Sequence, residues 1–322
     1  MKDPLISIIL TTYNRANYLD AAIRAILGQT YRDFKLYILD NASTDGTQEL
    51  VKTYLEDERI EYCRRGNNIG GIKNINSGFE KAAGSKYVIL THDDDEMCPD
   101  LIKRAVKVLE SDGDIVLASS NVQKAGADMN IIKERMINVD KDIVYQKNEY
   151  AAKFCAGKAY LFLPSTVFRM SAINEGQLRF REDVGPASDI YLFFEMNAIG
   201  KAYFISTPLY KYRTHPGQDS VMTSIDRQTL FLQKTEILLM KLGMSGSVPS
   251  LRATIYRGII DETIRLYLSG YINRKTFDER ICTIASYKDA APFTSGKMRL
   301  RILFARVLPG LLRSFEKLKG RL

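Results

Sequence analysis

The chain has 322 residues, of which 45% are hydrophobic and 26% charged, so it holds one large domain or two ordinary ones and is neither disordered nor collagen-like. Of its +8 formal charge, +7 belongs to the 26 residues from Lys297 onward, where eight Lys or Arg stand against the single acid Glu316. The rest of the chain is close to neutral, which argues against a nucleic-acid binder, whose basic residues spread over the folded body.

The first 120 residues alternate strand-like and helix-like periodicities. Leu5–Leu10 is a short apolar run of strand length, and Asn17–Leu27 carries apolar residues at helical spacing. Leu36–Leu39, Ile60–Cys63, Tyr87–Leu90 and Ile115–Ala118 read as further strands, separated by helices over Gln48–Tyr54, Asn74–Ala83 and Leu101–Leu109. Such alternation implies βαβ units around a largely parallel sheet, with ligands outside the carboxyl ends of the strands. Residues 121–224 are less regular. From 225 onward the pattern is mostly helical, with a loop over Gly243–Pro249.

Three loops therefore hold the candidate chemistry. Thr11-Thr12-Tyr13-Asn14-Arg15 follows the first strand, and Asp40-Asn41-Ala42-Ser43-Thr44-Asp45-Gly46-Thr47 follows the second. Ser43 to Thr47 suits a helix start, because such side chains accept from free amides. Asp40 needs another explanation: at a strand's carboxyl end it can accept from the imide of a uracil or thymine ring, with Tyr13 offering an apolar face. The third loop is His92-Asp93-Asp94-Asp95-Glu96. It reads either as an acidic cap before the next helix or as oxygen ligands for a hard cation such as Mn²⁺ or Mg²⁺.

These loops, with Gln29-Thr30-Tyr31, resemble family 2 glycosyltransferases. Asn68 to Gly78 resembles that family's N-x-G…N-x-G segment, Ala187 to Glu195 its acceptor-side acidic segment, and Tyr212-Arg213-Thr214-His215-Pro216-Gly217 its closing Y-R-x-H-x-G motif. The likeness spans about residues 5–220. It implies a GT-A fold, a nucleotide-binding α/β sheet with an acceptor region, here followed by a mainly helical C-terminal region. The implied division is a GT-A domain over 1–224 (nucleotide-binding half 1–120, acceptor-side half 121–224) and a helical region with a basic amphipathic tail over 225–322.

The resemblance also implies roles. Thr12, Tyr13 and Asp40 hold base and ribose, and Asn14, Arg15, Asn68, Asn76, Asp93 and Arg213 belong to the nucleotide site. Asp94, Asp95 and His215 bind the metal, with Asp94 the main ligand. Asp189 is the general base, with Asp183 a competing candidate by appearance. Three positions depart from the family pattern: His92 stands at the first acidic position, Ile75 replaces an Arg, and Ser188 replaces a Glu. The implied activity is inverting, metal-dependent transfer of a sugar from a nucleotide diphosphate sugar to a hydroxyl of a glycan or lipid-linked glycan, as in bacterial surface polysaccharide synthesis. UDP is the expected nucleotide, and dTDP is the other that Asp40 fits.

Two rival classes are weighed against this. A sugar-nucleotide pyrophosphorylase needs a glycine-rich, Arg-containing loop after the first strand, which Thr11–Arg15 is not. A non-catalytic sugar- or partner-binding protein with a degraded GT-A site is the alternative that the His92 and Ile75 departures keep open. Cys63, Cys98, Cys155 and Cys282 form no C-x-x-C pair, which suits a reducing compartment. Met1-Lys2-Asp3-Pro4 lacks a signal-peptide core, and no run reaches the ~18 apolar residues of a spanning helix. A cytoplasmic protein is expected, peripheral at the inner face of the cell membrane if the tail meets an anionic surface there. The other reading of Lys297–Leu322 is a packed helix pair with a solvated basic face, broken at Pro309.

Overall fold

Ile6–Thr12 (β1) is apolar on both faces and buried almost throughout, the pattern of a central strand covered by helices on each side. The computed structural model describes residues 5–185, 187–215, 225–286 and 296–318. After β1 come α1 (Ala16–Leu27), β2 (Phe34–Asp40), α2 (Thr47–Lys52), β3 (Ile60–Arg64), α3 (Gly71–Lys81) and β4 (Tyr87–His92). β1 lies between β2 and β4, with β3 outside β2, and all four run parallel. The register sets Thr12 beside Asp40 and Thr11 beside His92. Three strand ends thus open on one edge.

Helices cover both faces of this half. α1 buries Leu19, Ala22, Ile23 and Ile26 in the cluster that holds Ile6, Ile8 and Leu10. α3 packs on the opposite face, where Gly78 faces Ile9 so closely that a Cβ there would stand 2.5 Å from the Ile9 Cγ2. The second glycine of the N-x-G…N-x-G segment is therefore a packing residue.

Beyond β4 follow β5 (Glu96–Met97), α4 (Leu101–Ser111), β6 (Ile115–Ala125), β7 (Ile131–Lys133), β8 (Ile143–Tyr145), α5 (Glu149–Cys155), β9 (Thr166–Arg169), α6 (Met170–Glu175), α7 (Ser188–Ile199) and β10 (Lys201–Arg213). The sheet is mixed where the alternation predicted it largely parallel. Four-residue β9 inserts antiparallel between β4 and β6, β10 pairs parallel with β6, and β5 and β8 run antiparallel to β10. β6 also runs well past the expected Ala118. Ser119, Ser120 and Asn121 look like a strand end but are buried, and Asn121 donates to the Ile137 and Ser206 carbonyls.

The described residues form two compact units. One comprises those up to 151, 159–182 and 188–215; the other takes 152–158, 183–187 without 186, and everything from 225. The expected boundary at 224/225 adjoins residues 216–224, which lie outside the described ones. The second unit is helical: α8 (Ile225–Lys241), α9 (Val248–Leu268), α10 (Arg274–Ser286), α11 (Gly296–Val307) and α12 (Pro309–Leu318). α9 touches α8, α10, α11 and α12 and buries Leu251, Tyr256, Ile259, Ile260 and Ile264. Pro309 opens α12, so the expected break falls at Leu308. Among the described residues no helix is long and apolar enough to cross a membrane.

Candidate active site

The loop after β1 is locked to the loop after β2. Asn14 adopts a left-handed φ of 53°, which asparagine tolerates better than most residues. Its amide donates to Ser43 Oγ at 2.9 Å, and its side-chain oxygen accepts from Thr44 N at 2.7 Å. Asp45 accepts from Ala16 N at the start of α1 and from Thr47 N at the start of α2, both at 3.0 Å. One carboxylate therefore serves two helix ends, which accounts for much of the polar run as helix-start chemistry. Between these loops and β4 lies a cleft of about 270 Å³, lined by Thr11, Thr12, Tyr13, Arg15, Asn41, Gly71, Asn74, His92, Asp93, Asp94 and Tyr212. Tyr13 is 45% exposed beside it.

The acidic loop sits on the cleft floor. Asp93, Asp94 and Asp95 are all buried, a costly arrangement unless positive groups or protons offset it. Arg15 Nη1 lies 2.6 Å and His215 Nε2 2.9 Å from the same oxygen, Asp94 Oδ2. Burial alone would raise Asp94, but the His215 hydrogen bond and the charges of His92 and Arg15 hold it below the usual carboxylate range. Asp93 has less help, and burial, aided by the charge of Asp94, pushes it up to about 7. Seclusion in the cleft disfavours a charged His92, but the Asp95, Asp94 and Asp93 carboxylates overcome it and raise the ring to about 9.

His92, Asp94 and Asp95 each offer a ligand atom, and these atoms lie within 4.8 Å of one another. Asp95 Oδ1 accepts from Arg213 N at 2.8 Å, whereas Asp95 Oδ2 is buried with no hydrogen-bond partner. His92 Nδ1 lies 3.5 Å from it. An orphaned buried carboxylate oxygen beside a second carboxylate and an imidazole fits a divalent cation. Expected ligand His215 stands against Asp94 from the far side, its ring 4.7 Å from that of Tyr18. Pro216 and Gly217 of its motif lie outside the described residues.

Other expected site residues occupy supporting positions. Asp40 is fully buried, accepting from Ser43 N at 2.8 Å and Tyr62 OH at 2.5 Å, with Arg64 Nε at 3.6 Å. Asn68 accepts from Asn41 Nδ2 at 2.8 Å and Gly70 N at 2.9 Å. Asn76 does not line the cleft, because the Phe180 backbone engages both ends of its amide, at 2.8 and 3.0 Å. Arg213 is buried below the cleft and donates to the Asp94 and Ala127 carbonyls, both at 2.6 Å, so it anchors the acidic loop to β10. Asp189 is the second residue of α7, partly buried. Burial raises its carboxyl, opposed by the Ile190 amide and the charge of His92. The competing Asp183 is exposed and paired with Lys234 at 2.8 Å.

Of the residues that line the cleft, the sequence reading gave no site role to Thr11, Asn41, Gly71, Asn74, His92 or Tyr212. Asn41 lines the cleft while its oxygen holds Ile69 N at 2.9 Å. Asn74 bonds the Leu39 carbonyl at 2.9 Å and leaves a buried, unpartnered Oδ1 beside the cleft. His92, a departure from the family's first acidic position, joins the acidic cluster. The signal for Asn74 was its place in a helix's first turn beneath a strand end. Gln29 and Thr30 act from outside, donating to the Cys98 and Pro99 carbonyls at 2.8 Å each and so fixing the chain that leaves the acidic loop.

Residues 7–173 match the family described as glycosyl transferase family 2, and the chain belongs to that family. A Haemophilus influenzae protein described as an uncharacterized glycosyltransferase is 26% identical over 226 residues, 67% of this chain and 68% of that one. The chondroitin synthase of Pasteurella multocida is 25% identical over 228 residues, covering 70% of this chain but 22% of that much longer protein. Among solved structures, S. aureus TarS 1–349 in complex with UDP-GlcNAc superposes with a TM-score of 0.66 at 15% identity, over 98% of this chain and 92% of that one. The mannosyltransferase PcManGT from Pyrobaculum calidifontis, in complex with GDP-Man and Mn²⁺, gives 0.56 at 17% identity, over 95% and 88%. The shared architecture is the GT-A fold, a mixed α/β sheet followed by a helical C-terminal region, and the chain is a glycosyltransferase.

Proposed function

We propose that this glycosyltransferase moves a sugar, with inversion, from a UDP-sugar to a hydroxyl of a glycan or lipid-linked glycan, with a divalent cation at the acidic loop. The observation that carries the reading is the meeting of Thr12, Tyr13, Asn74 and the His92–Asp95 loop around one cleft at three aligned strand ends. Tyr13 stacks on the base, and buried Asp40 shapes the wall beneath it by holding Ser43 N and Tyr62 OH. Thr12, Asn41 and Asn74 hold the nucleoside, with Asn14 and Asn68 shaping the walls. Asn76 and Arg213 contribute by fixing α3 and the acidic loop.

Asp94 would hold the cation, with His92, Asp95 or His215 completing the protein ligands. Bound there, Mn²⁺ or Mg²⁺ supplies Lewis-acid charge that offsets the negative charge gathering on the leaving diphosphate. Arg15 donates charge-assisted hydrogen bonds on the same side. Asp189 takes the proton of the acceptor hydroxyl as that oxygen attacks the anomeric carbon. The bond to the diphosphate breaks on the opposite face, and its electron pair leaves with the nucleoside diphosphate. A positioned base contributes roughly 10²–10⁴-fold.

UDP is supported by the UDP-GlcNAc bound to TarS, and Mn²⁺ by the Mn²⁺ in PcManGT. Similarity to a chondroitin synthase supports a polysaccharide acceptor. On this reading residues 1–224 are the catalytic domain and 225–322 a helical region that brings the enzyme to a membrane carrying the acceptor. Release of UDP from a panel of UDP- and dTDP-sugars, with Mn²⁺ and with chelator, tests it. Metal-dependent UDP release supports the reading, and release of dTDP alone or chelator-insensitive turnover contradicts it.

A further inference from the structure

α11 turns its more apolar side outward. Leu300, Leu303, Phe304 and Val307 are all exposed, and at the ~100° per residue of an α-helix they fall on one face about 100° wide. The opposite face, turned to the bundle, holds Met298, Arg301, Ile302 and Ala305, of which Met298 and Ala305 are buried. Arg301 is fixed there by Asp261 and by Glu316 at 3.1 Å. The stripe runs on through Leu308, 47% exposed, to Leu311, 64% exposed. A soluble helix places these faces the other way round.

The rims of the stripe are basic. On α11 Lys297 lies to one side of it and Arg299 to the other, beside half-buried Arg306, which pairs with Asp278 at 2.7 Å, and α12 adds exposed Arg313 and Lys317. We infer that this face is a docking surface for an anionic lipid bilayer, with Leu300, Leu303, Phe304, Val307, Leu308 and Leu311 entering the interface and the basic rims meeting lipid phosphates. Charge complementarity selects the occupant. Residues from Lys297 onward carry +7, so two copies placed stripe to stripe would bring like charges together, whereas anionic headgroups attract each basic group. α11 has 12 residues, about 18 Å of helix, too short to span but suited to lying in the interface plane. The inference gives a physical basis to the membrane position proposed above, yet rests on no part of the donor site.

Co-sedimentation of the full chain with phosphatidylcholine vesicles, with and without phosphatidylglycerol, tests it. Binding is expected only to the anionic vesicles. The L303S/V307S/L311S variant should lose about a hundredfold in vesicle affinity, and K297Q/R313Q/K317Q should lose at least tenfold and become less sensitive to salt. Both should hydrolyse donor sugar as the parent does, so failure of the donor reading and failure of this one are told apart. Circular dichroism checks folding, and the charge variant keeps the test decisive if the apolar one misfolds. Equal binding to neutral vesicles, or unchanged binding by both variants, overturns the inference. So does a dimer on size exclusion that L303S/V307S/L311S dissolves, which would assign the stripe to a second copy.

Discussion

Arg15 Nη1 lies 2.6 Å from Asp94 Oδ2, joining the loop after β1 to the loop after β4 across 79 residues of sequence. With His215 on the same oxygen, it holds the acidic loop in place through charge. A divalent cation held by Asp94 would add its charge to that of Arg15 on the same carboxylate. Asp94→Ala should therefore abolish any metal dependence of UDP affinity, read by calorimetry with and without Mn²⁺. Unchanged metal-dependent binding would remove Asp94 from the ligand set.

Asp189→Asn should lower transfer by at least 10²-fold while UDP affinity stays within about twofold of the parent. The pH profile gives a second readout. Burial raises the Asp189 carboxyl, and only its ionised form can accept a proton. Activity should thus fall as pH drops through that raised value, with the acid limb above the ~3.9 of an ordinary aspartate. An acid limb at the ordinary value, or normal turnover by the variant, would count against Asp189 as the base.

Asn74 and Asn76, two residues apart on α3, should respond differently to alanine. Asn76 clamps the Phe180 backbone from both ends of its amide. Its loss should cost about 1–3 kcal/mol of stability, with little change in nucleotide affinity at permissive temperature. Asn74→Ala removes a cleft-lining amide whose Oδ1 has no hydrogen-bond partner and should weaken UDP binding several-fold. Thermal melts and UDP titrations on the same pair of variants separate the roles, and a reversed pattern would reinstate Asn76 as the nucleotide contact.

Gly78→Ala should be destabilising by about 1–3 kcal/mol, because the new methyl would lie 2.5 Å from the Ile9 Cγ2. A denaturation midpoint equal to the parent's would mean that α3 can shift off β1 without cost.

The β1 to β4 half was legible because its signals are local. Apolar runs of strand length and helix-spaced stripes mark β1 to β4, and the three polar loops fall at consecutive strand ends. The mixed half was not. β9 is four residues long and owes its place between β4 and β6 to partners up to 82 residues away in sequence. β6 overran its expected end because Ser119, Ser120 and Asn121 find buried hydrogen-bond partners that periodicity cannot reveal. Within the site, sequence placed the acidic loop but not its division of labour. Whether an amide faces a cleft, as Asn74 does, or a neighbouring backbone, as Asn76 does, depends on helix phase to within one residue. The register sets His92 next to Thr11 with its ring on Asp95, a placement that its position in the sequence does not reveal.

Calorimetric titration of UDP into the purified chain, with and without Mn²⁺, tests the central claim most directly. Binding that requires the metal in the parent and is lost in Asp94→Ala is the predicted result. No binding of UDP in either condition, or equal binding in both, would contradict a metal-dependent UDP site at this cleft.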